Sequence, residues 1–73
     1  MIVGQVTLKP TLESPQPRTY NVHVMEGEAY VETPTGLQVY QTLCDSLLTA
    51  ESRDAAPLIR ATDELLLAYH SSR

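Results

Sequence analysis

Phenylalanine and tryptophan are absent from this chain of 73 residues, and four tyrosines provide all of its aromatic side chains. Its core must therefore be built from leucine, valine, isoleucine and alanine. Small domains of this kind often need a disulfide, a metal or a partner chain for stability. A single cysteine excludes an internal disulfide, and no cluster of ligand residues indicates a metal. Self-association or a dedicated partner is therefore the expected supplement.

Positive charge is scarce as well. Five lysines and arginines stand against nine aspartates and glutamates, which gives a net charge of −4. Between Arg18 and Arg53 there is no basic residue at all. Binding to a nucleic-acid backbone depends on clustered lysine and arginine. Direct nucleic-acid binding is therefore disfavoured, and a basic partner surface is favoured.

Long apolar runs and an export leader are also missing. No segment approaches the ~20 apolar residues that cross a bilayer. The N-terminus, MIVGQVTLKP, has neither the charged start nor the cleavage site of a signal peptide. A lone cysteine without an export signal is typical of a reducing compartment. The sequence thus predicts a cytoplasmic protein with no membrane segment.

Alternation of apolar and polar residues with a period of two predicts three antiparallel strands. They are expected at about 1–9, 18–25 and 28–33, and a loop with three prolines at 10–17. In the first strand, Ile2 is expected on the core face and Val3 on the outer face.

A two-residue turn at Glu26-Gly27 predicts the register of the hairpin. It places Val22 opposite Val31 on the core face, and His23 opposite Tyr30 on the outer face. A slip of one residue would scatter the apolar pairs.

Two helices are expected after the strands, at about 36–51 and 54–70. Thr35 and Gln38 fit a capping box at the start of the first helix. Asp54 is a suitable N-cap for the second, and Pro57 is tolerated in its first turn. The whole chain, 1–73, is thus predicted to be one small α+β domain. A three-stranded antiparallel meander is followed by two helices packed on one face of the sheet, in the order βββαα.

The first helix has an unusually broad apolar face. Leu37, Tyr40, Cys44, Leu47 and Leu48 fall on one side, and Val39, Leu43 and Ala50 widen it to roughly half of the circumference, beyond an ordinary surface helix. A symmetric homodimer through Val39, Leu43 or the outer sheet face would bury this excess.

Six residues are candidates for binding a partner. Most share the outer sheet face, which is too apolar for a freely solvated one. They are His23, Met25 and Tyr30 as the patch, Glu28 and Glu32 as its acidic rim, and Leu67, exposed on the second helix.

Catalytic chemistry finds little support. Cys44 lies mid-helix on the apolar side, where nothing lowers the pKa of a thiol, so a small buried hydrophobe is the better interpretation. His23 and His70 lack a third ligand at metal-binding spacing. We therefore expect no enzyme, no cofactor, no metal and no catalytic residue.

The leading hypothesis is a non-enzymatic interaction module, such as a small acidic inhibitor, regulator or accessory subunit. It would dock its Tyr/Met/Leu patch and carboxylate rim onto a larger, basic protein. If that partner binds nucleic acid, blocking it would be a natural mechanism. The alternative is a small nucleic-acid-binding regulator that stacks bases on the outer sheet face, with Arg18 on or beside it. An enzyme or metal-dependent module is the third hypothesis.

Overall fold

The sheet has four strands within residues 1–12 and 15–72, which this computed structural model describes, rather than the three predicted. The elements are β1 (Ile2–Leu8), β2 (Arg18–Met25), β3 (Glu28–Thr33), β4 (Gly36–Val39), α1 (Tyr40–Thr49) and α2 (Ala55–Ser71). Neighbouring strands pair antiparallel in the order β1-β2-β3-β4. The prediction of an α+β fold with an antiparallel meander is confirmed, and the number of strands was wrong.

The β2–β3 hairpin has the predicted register. Val22 pairs with Val31 and His23 pairs with Tyr30. Both turn residues adopt a positive φ, 54° at Glu26 and 79° at Gly27. Two positive φ angles are the signature of a type I′ turn, whose twist matches that of the flanking strands.

Residues 36–39 form a strand where a helix start was predicted. Gly36 has a φ of 117°, which no helix accommodates. It pairs with Thr33, and Pro34-Thr35 close the turn between β3 and β4. The predicted capping box is absent: Gln38 Nε2 donates to Thr35 Oγ1 across 3.2 Å, but the helix begins only at Tyr40, without a side-chain cap.

Helix α1 is therefore shorter than predicted, and its end has a defined geometry. The Ser52 N–H donates to the Leu47 carbonyl oxygen at 3.0 Å, and the Glu51 N–H donates to that of Leu48 at 3.1 Å. This pair of hydrogen bonds, with Glu51 at a φ of 54°, is a Schellman motif.

Helix α2 begins where it was predicted, but the side chain of Asp54, the residue before it, does not cap it. Asp54 occupies the N-cap position and makes no side-chain cap. Its carboxylate instead accepts a hydrogen bond from Arg18 Nη2 at 3.0 Å. Pro57 lies in the first turn, as expected.

Both helices pack on the same face of the sheet, as predicted. The fully or nearly buried apolar residues join the sheet to both helices: Val6, Leu8, Val22, Val31, Leu43 and Leu58. Gly4 lets α2 approach β1 closely, since a Cβ atom there would lie 2.7 Å from Leu65 Cδ1. The Tyr40 hydroxyl lies 2.8 Å from Asp63 Oδ1 and 3.1 Å from the Ile59 carbonyl oxygen, which connects α1 to α2.

An irregularity near the start of β1 reverses one prediction. Ile2 pairs with His23, but Gly4 pairs with Val22, so the register shifts between them. The extra residue moves Ile2 to the outer face, and Val3 packs against the core instead. The predicted facing of these two residues was therefore wrong.

Candidate functional site

No described element covers the outer face of the sheet, because α1 and α2 both lie on the other side. The pairing of the strands aligns one residue from each of them in a row across this face. In order from β1 to β4, the row is Ile2, His23, Tyr30 and Val39. We call these four residues the central row.

Apolar side chains extend the exposed surface on both sides of the central row. Ile2 is 54% exposed within it. On one side Met25, 37% exposed, pairs with Glu28. On the other side Leu37, 47% exposed, pairs with Glu32. An antiparallel sheet that faces water normally presents polar residues, so this face is unusual.

A chain of polar side chains runs beside the central row. Gln5 Nε2 donates to Asn21 Oδ1 at 2.9 Å, and Asn21 Nδ2 donates to Glu32 Oε2 at 3.3 Å. The other carboxylate oxygen of Glu32 lies 3.1 Å from His23 Nε2. The side chain of His23 is only 14% exposed, whereas that of Glu32 is 48% exposed. These hydrogen bonds fix the orientation of Glu32 and of the His23 imidazole.

Two carboxylates flank Tyr30 on its own strand. Glu28 precedes it by two residues and Glu32 follows it by two, so all three side chains share the outer face. Among the residues of the four strands, no lysine or arginine points outward: Arg18 belongs to the inner face and pairs with Asp54. The face thus combines exposed apolar side chains with the carboxylates of two glutamates.

The structure brings together five of the six predicted site residues. His23, Met25, Glu28, Tyr30 and Glu32 all lie on the outer face. Leu67 does not join them: it is 69% exposed but belongs to α2, in the layer behind the sheet.

The three residues predicted to widen the apolar face of the first helix do not share one surface, since Ala50 is the exposed C-cap of α1 and the other two lie elsewhere. Leu43 is buried in the core of the single chain, at 8% exposure, and leaves no surface for a second copy. Val39 belongs to the central row of the sheet and not to the helix.

Sequence reasoning missed three members of this surface: Ile2, Leu37 and Val39. The segment Thr33-Pro34-Thr35-Gly36 contained a signal for the last two, since proline second and glycine fourth are typical of a type I β-turn. The capping-box interpretation took Thr35 as a helix cap instead. The register shift that turns Ile2 outward has no comparable signature in the sequence.

The single thiol lies away from this face, on α1. Burial raises the pKa of Cys44, a hydrogen bond with Tyr40 partly offsets this, and the charges of Asp63 and Asp45 raise it further. Burial and the hydrogen bond to Asp63 also raise the pKa of Tyr40. Both groups therefore hold their protons at neutral pH, and the thiol is a weak nucleophile.

Within residues 1–12 and 15–72, no three side chains of histidine, cysteine, aspartate or glutamate are placed to hold a metal ion. None of the helices in that part of the chain is long and apolar enough to cross a membrane. The chain is thus, by its fold, an α+β protein with a one-sided four-stranded sheet. No family model, no curated protein and no solved structure matches it.

Proposed function

We propose that this protein is a non-enzymatic interaction module that docks the outer face of its sheet onto a basic surface of a larger protein. In this role it acts as a small inhibitor, regulator or accessory subunit. The observation that carries the proposal is the outer face, where the exposed apolar side chains of Ile2, Met25 and Leu37 lie among the carboxylates of Glu28 and Glu32 and no described element covers them.

Tyr30 is the anchor of the proposed interface. It lies in the middle of the face, half-buried between its neighbours on β2 and β4. Tyrosine is enriched among the residues that dominate binding energy, since its rigid ring buries a large area with few rotatable bonds. Ile2, Met25 and Leu37 surround it and would exclude water from the contact.

The charge of the face favours a basic partner. The chain carries a net charge of −4, and the outward residues of the strands include glutamates but no lysine or arginine. An acidic rim accelerates the encounter with a positively charged surface and disfavours other partners. A partner that uses its basic surface to bind nucleic acid would be blocked by such contact.

The same charge disfavours a second copy of this chain as the occupant. A symmetric dimer through the outer face would bring two identical sets of carboxylates together. Like charges across an interface cost free energy. Leu43 is buried in the core of the single chain, so α1 exposes less apolar surface for a dimer to bury.

Affinity capture with matched variants tests the proposal. The bait is the wild-type protein, and the test variants are Tyr30→Ala and the double charge reversal Glu28→Lys with Glu32→Lys. The control variants are Leu67→Ala and Asp45→Lys, which make comparable changes on exposed residues of the helical layer. A partner recovered with the wild type and both controls, and lost at least tenfold with both test variants, is expected; ~1.4 kcal/mol corresponds to that factor.

Two results would contradict the proposal. Recovery that is equal for all variants would place the interface elsewhere. A dimer in light scattering that Tyr30→Ala converts to a monomer would assign the outer face to a second copy.

The nucleic-acid alternative has one favourable feature, the adjacency of His23 and Tyr30 in the central row. Against it, Arg18 lies on the inner face, and Glu28 and Glu32 flank the ring on which a base would stack. Tight, salt-sensitive retention of single-stranded RNA in a gel shift, abolished by Tyr30→Ala, would reverse this order.

A further inference from the structure

Most of the basic residues of this acidic chain meet in one place, on the opposite side of the sheet from the central row. A groove of about 470 Å³ lies between the end of β1, the start of β2 and the first turns of α2. Four of the five lysines and arginines line it: Lys9, Arg18, Arg53 and Arg60. We call this site the basic groove.

The basic groove carries charge opposite to that of the whole molecule. Its walls also include two carboxylates, Asp54 and Glu64, so that four cations against two anions leave a net charge of +2. The chain as a whole carries −4. The amino-terminal turns of α2 form one wall of the groove. Such a segregation of charge creates an attractive potential for anions.

One of the four cations is held in place by the fold. Arg18 Nη2 donates to Asp54 Oδ1 at 3.0 Å and to the Lys9 carbonyl oxygen at 3.2 Å. Its side chain is 21% exposed. The Asp54 carboxylate is thus paired with Arg18. Among the described residues, neither Lys9 nor Arg60 forms an ion pair. The charges of Lys9 and Arg60 are thus not neutralised by an ion pair within the described part of the chain.

The remaining walls are mostly apolar, with two threonines, Thr7 and Thr11, among them. Leu8, Pro10, Pro57 and Ala61 line the groove beneath and between the charged side chains. Pockets for small molecules typically have volumes of 300–1,000 Å³, apolar walls and a few polar groups that orient the ligand. The basic groove falls within this range and has this composition.

We propose that the basic groove binds a small organic molecule that carries a phosphate monoester. A phosphate monoester has a charge of about −1.5 to −2 at neutral pH, opposite in sign to the charges of Lys9 and Arg60. Guanidinium groups bind its oxygens in a bidentate manner. The apolar walls receive the organic part. This site is separate from the outer face, so its ligand and the proposed protein partner do not compete directly.

Titration followed by amide chemical shifts tests the proposal, with the full chain as it stands. The probes are adenosine monophosphate, glucose 6-phosphate, inorganic phosphate and adenosine. The two esters are expected to shift amides of residues 7–11 and 53–64, and to bind more tightly than inorganic phosphate. Adenosine, which lacks the phosphate, is expected to leave those amides unchanged. Rising salt concentration should weaken the binding, since part of it is electrostatic.

Matched variants separate the groove from the charge of the whole chain. Arg60→Gln removes one positive charge from the groove and should weaken ester binding about tenfold, as expected for one charge-assisted hydrogen bond. Gln41→Glu changes the net charge equally at an exposed position on α1 and should have little effect. Glu64→Gln should tighten binding, whereas Glu26→Gln, the same change in the β2–β3 turn, should not.

Three outcomes would overturn the proposal. The first is that neither ester shifts the groove amides at about 10 mM, a concentration that reveals even millimolar affinity. The second is that Arg60→Gln and Gln41→Glu weaken ester binding equally, which would mean that binding depends only on the net charge of the chain. The third is that a single-stranded oligonucleotide binds the groove much more tightly than adenosine monophosphate does, which would make the groove a site for a nucleic-acid backbone.

Discussion

At the scale of single residues, the buried polar groups are the most informative. Thr62 is completely buried on α2, and its hydroxyl has no hydrogen-bond partner among the described residues. A buried hydroxyl without a partner costs about 1–3 kcal/mol relative to a hydrogen-bonded one. Thr62 therefore diminishes the stability of the core that surrounds it.

Replacing Thr62 by valine should stabilise the protein. Valine has nearly the same shape and lacks the hydroxyl, so we expect the free energy of unfolding to rise by about 1 kcal/mol. Urea denaturation measures the change. The comparison variant, Thr62→Ala, leaves a cavity and should destabilise. If Thr62→Val lowered the stability, the hydroxyl would have a partner, such as a buried water molecule.

The thiol of Cys44 should react with iodoacetamide only at high pH. Its pKa is raised in the folded protein, first by burial, so the inflection of the rate against pH should lie higher than in urea. By the same linkage, Cys44 contributes stability below the pKa of the unfolded thiol that is lost as the pH rises through the raised folded value. An inflection at the same pH in the folded and unfolded states would contradict this.

At the scale of elements, the strands were predictable because the alternation of apolar and polar residues shows directly which side chains face the core. The bounds of β2 and β3 and the register of their hairpin agree with the sequence, since a buried face tolerates no slip of one residue. Residues 36–39 were misassigned because Leu37 and Val39 suit an apolar helix face as well as a strand face. The turn signal of Thr33-Pro34-Thr35-Gly36 favours the strand, and the positive φ of Gly36 in the folded backbone agrees with it.

The candidate site was predictable to the extent that it lies on those strands. His23, Met25, Glu28, Tyr30 and Glu32 follow from the hairpin register alone. Ile2 could not be predicted, because a one-residue irregularity in β1 depends on how β1 meets β2 and α2. Leu67 was included because it is exposed, and exposure says nothing of which layer a residue occupies.

The end of α1 contains a residue that its conformation disfavours. Glu51 adopts a φ of 54° in the Schellman motif, where glycine is the usual residue. The left-handed conformation costs a residue with a Cβ atom about 1–2 kcal/mol. Glu51→Gly should therefore raise the midpoint of urea denaturation, with a gain of up to about 1 kcal/mol because glycine also gains entropy in the unfolded chain. Glu51→Ala, which removes the charge but keeps the Cβ atom, should not produce this gain.

At the scale of the whole molecule, the two faces of the sheet differ in burial. The inner face holds the fold together through residues such as Val22 and Val31, both at 0% exposure. On the outer face, Ile2, Met25 and Leu37 remain partly in contact with water, so we expect them to contribute less to stability than the inner face does. Apolar surface kept exposed in this way is typical of a surface that binds a partner. The division predicts that binding and stability can be changed separately.

A triple variant on the outer face tests that division. Ile2→Thr, Met25→Thr and Leu37→Thr together remove the exposed apolar side chains but retain a residue that suits strands. We expect the free energy of unfolding to change by no more than about 1 kcal/mol in total, as for surface substitutions. Capture of the protein partner should be lost. The comparison variant, Val31→Thr, makes one such change on the inner face and buries a hydroxyl, so it should cost about 1–3 kcal/mol alone. A triple variant that unfolds would mean that the outer face is part of the core of a larger assembly, with a second copy or a permanent partner as the missing layer.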